Sequence, residues 1–302
     1  MLHKISAGVV TKSPDSIRSY LLLMRLDRPT GYLLYLLPAL WAVVLASGER
    51  SQLWADLPAV AAVAVAAVLI RGFACAVNDV IDKEIDARVA RTVSRPVAAG
   101  TVSVRNAILW AAAQALVGLL VLAVANVETA LVALATYPLI IAYPFMKRFF
   151  VWPSAFLGLV MSTYVFVGWT AATANADYPP AVYGLYAAGT FWTLIHDAIY
   201  SHQDKEYDRK IGVRSSALLF GDATKAWLAV FAVLSVAGVL WAGSQASIGW
   251  AFHLVVVLAG IYLAYLIARV DLDDPKACWD TFVANTYYGW IVLAAVLAGQ
   301  FT

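Results

Sequence analysis

The chain has 302 residues, 62% of them hydrophobic and 13% charged, with a mean hydropathy of +0.76. Soluble domains carry about 25% charged residues, and apolar blocks this long and uniform have no polar face to show to water, so a soluble globular protein is excluded. The formal charge of +2 says little by itself, and Cys75 and Cys278, far apart and without CxxC spacing, indicate neither a disulfide framework nor a zinc site.

About 20 apolar residues cross the hydrocarbon core of a bilayer. Such stretches cover 29–47, 57–77, 106–125, 128–146, 153–174, 181–200, 224–243, 247–268 and 281–300. They follow an N-terminal tail, residues 1–19, whose stretch through Ser13 reads as too short and too weakly apolar for a secretory signal. Turn or charge signals separate the stretches, among them Asn126-Val127-Glu128, Lys147-Arg148 through Pro153, and Pro179-Pro180. Several connections are only a few residues long, which makes successive helices antiparallel neighbours. The apolar blocks do not alternate as strands of a membrane barrel would. The expected fold is an all-α membrane protein: nine transmembrane helices in one domain over 1–302.

With nine spans, the N-terminus and the 2–3, 4–5, 6–7 and 8–9 loops share one side, and they hold 19 of the 21 Lys and Arg residues. Arg50 alone lies on the other side, and Arg71 lies inside the second span. This asymmetry assigns the charged face to the cytoplasm or an organelle matrix. Lys4, Lys12, Lys225, Arg269 and Lys276 read as orientation signals, and Trp54 and Trp152 as interfacial anchors. Orientation does not explain why acids crowd the same face. Asp79, Asp82, Glu84 and Asp86 fall where the second span exits, and Asp197, Asp204, Glu206 and Asp208 where the sixth does. An acid at bilayer depth costs about 2.5–3.5 kcal/mol, and such residues mark a function or a water-filled cavity. Asp271, Asp273 and Asp274 read instead as a solvated turn.

The two acidic clusters repeat. Asp82-Lys83-Glu84-Ile85-Asp86 matches Asp204-Lys205-Glu206-Tyr207-Asp208 at four of five positions, at an offset of 122. Each follows the second helix of a four-helix block, which divides the chain into halves of about 20–148 and 149–268 with a ninth helix appended. Such a repeat brings helices 2 and 6 together on one face, with the site at the interface. Residues four apart share a helix face, so Asn78, Asp82 and Asp86 form one stripe and Tyr200, Asp204 and Asp208 another, with Asp197 one turn below. Facing carboxylates repel unless a cation bridges them. Hard oxygen donors without interleaved His or Cys suit Mg2+. That ion takes one or two carboxylates and completes its shell with water and phosphate oxygens, so a diphosphate fits as the third party.

Arg71, Lys83, Arg88, Arg91, Arg95, Lys147, Arg148, Lys205, Arg209, Lys210 and Arg214 map to the same face. Arg71 stands in an apolar run two turns before Asn78 and needs an anionic partner, either a substrate or Asp79 or Asp197 in a structural ion pair. His196 and His202 lie near the site without metal spacing and read as ancillary.

Asn78-Asp79-Val80-Ile81-Asp82-Lys83-Glu84-Ile85-Asp86 resembles the NDxxDxxxD motif of the UbiA superfamily of intramembrane prenyltransferases, and Asp197 through Asp208 resembles its DxxYxxxDxxxD motif. Leu23 through Pro29, Arg91-Thr92 through Arg95-Pro96, Tyr143 through Arg148, and Lys210 through Ser216 resemble the 4-hydroxybenzoate polyprenyltransferase branch. The similarity runs in register from about residue 20 to 225; the fifth helix departs from it, with Met161 through Gly168 where ubiquinone-pathway members carry other polar residues. The resemblance implies a U-shaped nine-helix bundle with a central cavity, capped by the 2–3 and 6–7 loops. It implies that Asn78, Asp82, Asp86, Asp204 and Asp208 hold Mg2+ on a prenyl diphosphate, with Asp197 a further site acid. Arg71, Lys83, Arg88, Tyr143, Lys147, Arg148, Tyr200 and Lys205 then contact diphosphate or the acceptor carboxylate.

On that resemblance, Mg2+ and the basic cluster stabilise charge on the departing diphosphate. A phenolic acid such as 4-hydroxybenzoate attacks the allylic cation through the ring carbon ortho to its hydroxyl, as in ubiquinone biosynthesis. The lipid bilayer is the other expected partner, and no nucleic acid is expected. Two alternatives stand: prenylation, such as farnesylation, of a polyketide-type phenolic acid or of a quinone or haem precursor, and a cation-coupled transporter built on a two-fold repeat. The opposite face has almost no charge for a transporter's second gate.

Overall fold

The computed structural model describes residues 2–49 and 56–302, and the side chains of Leu2, Glu49, Lys147 and Ile211 lie outside that description. The expectations placed on Arg50, Trp54 and the Lys147 side chain therefore fall outside it. Among the described residues all regular structure is helical. The long helices are α1 (Thr30–Glu49), α2 (Leu57–Ile81), α3 (Val104–Ala125), α4 (Val127–Phe149), α5 (Pro153–Ser162, resumed as Tyr164–Thr173), α6 (Pro180–Ser201), α7 (Thr224–Gln245), α8 (Trp250–Arg269) and α9 (Pro275–Gly299). Each packs on its successor, and α9 returns to pack on α1. The most extensive pairs are α6 with α7 and α2 with α3.

Eight helices among the described residues are long and apolar enough to cross a membrane, and α6 is not one of them. The ninth expected span is α6, which composition alone does not mark as a span. At 22 residues α6 has the length, but it carries Tyr183, Tyr186, Thr190, Thr193, His196, Asp197 and Tyr200. It packs against α1, α5, α7 and α9, so protein covers much of it and the polar groups meet one another and a cavity. By contrast α3, α4, α7 and α8 expose rows of aliphatic side chains, including Leu116, Leu120, Val124, Leu131, Val233, Leu254 and Ile261, as a lipid-facing surface requires. Trp152, expected as an interfacial anchor, stacks on Phe231 with centroids 5.8 Å apart.

The N-terminal tail is helical, as Leu2–Lys12 and Asp15–Leu23. The second helix ends with Arg25 at φ 57°; Leu26 N–H bonds Leu21 O and Arg25 N–H bonds Leu22 O, both at 3.0 Å. Glycine normally fills this left-handed position. Arginine holds it because its side chain is tied elsewhere, as described below.

Helix α5 is interrupted at Thr163, whose hydroxyl donates to Val160 O at 2.6 Å. Its second part lies directly on α1: a Cβ on Gly168 would collide with the Ala39 carbonyl. Gly168→Ala is therefore expected to destabilise the bundle by about 1–3 kcal/mol, lowering the thermal midpoint in detergent. An unchanged midpoint would contradict this contact.

Candidate active site

Both acidic motifs lie where a long helix gives way to a short one. Helix α2 ends at Ile81, Asp82 takes φ −92° and ψ 9°, and the short helix Lys83–Asp86 follows. After α6, the turn His202–Asp204 brings Asp204 to φ −108° and ψ 2°, and Lys205–Ile211 follows. The first stripe is thus not one continuous helix, yet its spacing survives the break. Asp82 N–H bonds Asn78 O and Asp86 N–H bonds Asp82 O, both at 2.8 Å.

These segments open onto a cavity of about 300 Å³. Of the residues expected at the site, Arg71, Asn78, Asp82, Asp86, Tyr143, Arg148, Asp197, Tyr200, Asp204 and Asp208 line it. Lys83, Arg88 and Lys205 do not; Lys83 and Arg88 are exposed and Lys205 is half-buried. The turn that sends Asp82 and Asp86 inward leaves Lys83 about 100° away around the helix.

The acids are compensated by arginines, two of them from the loop between α2 and α3. Arg91 grips Asp204 through Nε at 2.7 Å and through a second contact from Nη2, and its Nη1 donates to Tyr200 Oη at 2.7 Å. This clamp ties the 2–3 loop to the second acidic motif across the cavity mouth. Burial disfavours the Arg91 charge, but Tyr200 and Asp204 outweigh that and raise its pKa. Arg95 Nη1 donates to Asp86 Oδ2 at 2.7 Å and lies 3.5 Å from Asp79. Burial raises the Asp86 carboxyl pKa, against the pull of Arg95. Arg148 Nη2 donates to Ile81 O at 2.8 Å and stands 3.6 Å from Asp82. Arg25 holds the buried Asp79 with Nη2 at 2.7 and 2.9 Å from the two carboxylate oxygens. Ser154 donates to Asp197 and receives a bond from Ser216 at 2.7 Å. Arg25, Arg28, Ser154 and Trp279 line the cavity without having been singled out from the sequence as site residues.

Asp79 therefore pairs with Arg25 and Arg95, not with Arg71. Arg71 Nε is buried without a hydrogen-bond partner. Arg71 precedes Asp82 by 11 residues and His196 precedes Asp204 by eight, which sets them about 16 and 12 Å deeper along their helices. The apolar part of the lining comes from Leu34, Ile140, Leu157, Val160, Met161 and Phe282. His202 instead bonds Thr224 Oγ1 at 3.2 Å. Cys75 and Cys278 are both free and buried. Asp271 and Asp274 accept bonds from nearby backbone N–H groups in an exposed turn.

The donor chemistry fits a hard divalent cation bound together with phosphate. Asn78, Asp82, Asp86, Asp204 and Asp208 all line one mouth. Among the described residues, no three His, Cys, Asp or Glu converge closely enough to hold an ion unaided. Magnesium needs only one or two carboxylates when phosphate oxygens complete its shell.

Residues 35–293 match the model of the UbiA prenyltransferase family. The chain is 41% identical over 288 residues to 4-hydroxybenzoate geranyltransferase 1 of Lithospermum erythrorhizon, covering 95% of this chain and 92% of that one. It is 37% identical to the mitochondrial 4-hydroxybenzoate polyprenyltransferase of Arabidopsis thaliana, covering 98% of this chain and 74% of the relative. The apo structure of a UbiA homologue from Aeropyrum pernix K1 superposes with a TM-score of 0.74 at 26% identity, over 88% of this chain and 97% of the other. An Archaeoglobus fulgidus homologue bound to GPP and Mg2+ has the same fold, with a TM-score of 0.68 at 18% identity over 94% of this chain and 100% of that one. A multi-pass helical bundle, a paired acidic motif at one cavity mouth, and similarity over nearly the whole chain converge: this membrane protein is a prenyltransferase and belongs to the UbiA family.

Proposed function

We propose that the enzyme transfers a prenyl group from a prenyl diphosphate to the ring of an aromatic acid such as 4-hydroxybenzoate, with Mg2+ as cofactor, as in ubiquinone biosynthesis. The observation that carries this reading is the mixed lining of one cavity: the carboxylates and arginines of both acidic motifs, Arg71 with its unpartnered Nε, and apolar side chains from α1, α4, α5 and α9.

Asn78, Asp82, Asp86, Asp204 and Asp208 are the residues that would hold magnesium, and the bound ion would neutralise charge developing on the leaving diphosphate. Arg91, Arg95 and Arg148 already stand among these acids and supply fixed positive charge to the same oxygens. Charges held in place in this way before the reaction usually contribute more to catalysis than any other single effect. Arg71 takes the acceptor carboxylate. Tyr143 and Tyr200 flank the reacting carbon, and Asp197, held by Ser154, positions the acceptor. Leu157, Val160 and Met161 shield the allylic carbon from water. The two motif-bearing halves, about 20–148 and 149–268, form one domain around this cavity, with the motif loops on the cytoplasmic or matrix side.

Membranes containing the enzyme, supplied with geranyl, farnesyl and long-chain diphosphates against 4-hydroxybenzoate and polyketide-type phenolic acids, test the assignment. Ring-prenylated 4-hydroxybenzoate as the main product is expected. Turnover confined to polyketide-type phenols would replace it with the meroterpenoid alternative.

A further inference from the structure

His196 is a polar side chain of this cavity to which the proposed mechanism gives no role. It is 2% exposed, lines the cavity, and neither ring nitrogen has a hydrogen-bond partner. It stands on α6 one turn before Tyr200 and eight residues before Asp204 in the turn that follows. Trp192 and Phe282 pack edge-to-face on the imidazole, with centroids 5.5 and 5.7 Å away. A buried polar group left unsatisfied is costly, and native interiors rarely keep one without a use. Arg71 Nε shares this condition in the same cavity, and the nearby carboxylates are engaged, Asp197 by Ser154 and Asp204 by Arg91.

We propose that His196 accepts the hydrogen bond of the acceptor's phenolic hydroxyl and thereby selects hydroxylated aromatic acids. This rests on the aromatic-acid acceptor proposed above. A neutral imidazole offers one bare nitrogen as acceptor, and a phenol offers a donor. An aromatic acid is then held at both polar ends, its carboxylate on Arg71 and its hydroxyl on His196, with the ring between them. A site built to bond a hydroxyl rejects the analogue that lacks the donor, because the buried group is left unpaired.

Equilibrium binding of 4-hydroxybenzoate and 4-methoxybenzoate to the full-length protein in lipid nanodiscs tests this, together with acceptor and donor KM. The wild type is expected to prefer the hydroxyl compound by about 10-fold or more. His196→Phe loses that preference with donor KM unchanged, and His196→Gln, whose amide oxygen still accepts, keeps most of it. His196→Leu carries the same test if the phenylalanine does not fold. A wild type without the preference, or an apolar variant that retains it, overturns the assignment. Preference as predicted without transfer from any prenyl diphosphate would refute the proposed reaction and leave the His196 assignment standing.

Discussion

Asp82→Ala and Asp204→Ala are each expected to lower turnover by about 10²–10³-fold or more while leaving a folded membrane protein. The two residues occupy the same backbone station, at φ −92° and φ −108°, each between a long helix and a short one. Each faces the cavity mouth. Loss of either unbalances the charge of the mouth at the point where diphosphate charge must be met. Folding tolerates the loss because the arginines freed by it are partly solvated: Arg148 is 41% exposed and Arg91 29%. Product formation by radiolabelled prenyl transfer, beside thermal unfolding of each variant, measures both halves of the expectation. Retained Mg2+-dependent turnover in both variants would remove the acids from the chemistry.

The largest stability effect is expected at Arg25. Its side chain is 14% exposed and Asp79 is 2% exposed, with two short contacts between them. Removing one partner of a buried pair strands the other charge and costs about 3–5 kcal/mol. Arg95, 3.5 Å from Asp79, remains after Arg25→Ala, which places the expected loss near the lower end, about 3 kcal/mol. The double variant Arg25→Met, Asp79→Leu removes both charges and is expected to recover most of the loss. Thermal midpoints of the single and double variants in one detergent measure it; equal losses in both would show that the pair itself is unimportant. The pair also accounts for the left-handed backbone at Arg25, where glycine would be easier.

The acids were legible in the sequence because they repeat. Asp82 and Asp204 recur with their neighbours at a fixed offset, and the helix period placed Asn78 and Arg71 on the side where the structure puts them. The arginine partners were not legible as pairs. Arg91 meets Asp204 across 113 residues and Arg25 meets Asp79 across 54, contacts that only the folding of the loops creates. Lys83 and Arg88 looked equivalent to Arg91 and Arg95 in a list of cations, but the short helix and the turns after it point only the latter two at carboxylates. Composition does not mark α6 as a span, since a helix covered by protein need not be apolar, and hydropathy measures contact with lipid only indirectly. His196 read as ancillary because its distinguishing property, two unpartnered nitrogens facing a cavity, is a property of packing.

The central claim is that the paired motifs and their arginines form one prenyl-transfer site. Its most direct test uses the purified protein in nanodiscs with a prenyl diphosphate and 4-hydroxybenzoate, following inorganic diphosphate and the product together. One ring-prenylated acid per diphosphate released is expected, on addition of Mg2+ and not with a chelator present. Diphosphate release that needs no acceptor, or transfer that proceeds unchanged in the chelator, would contradict it.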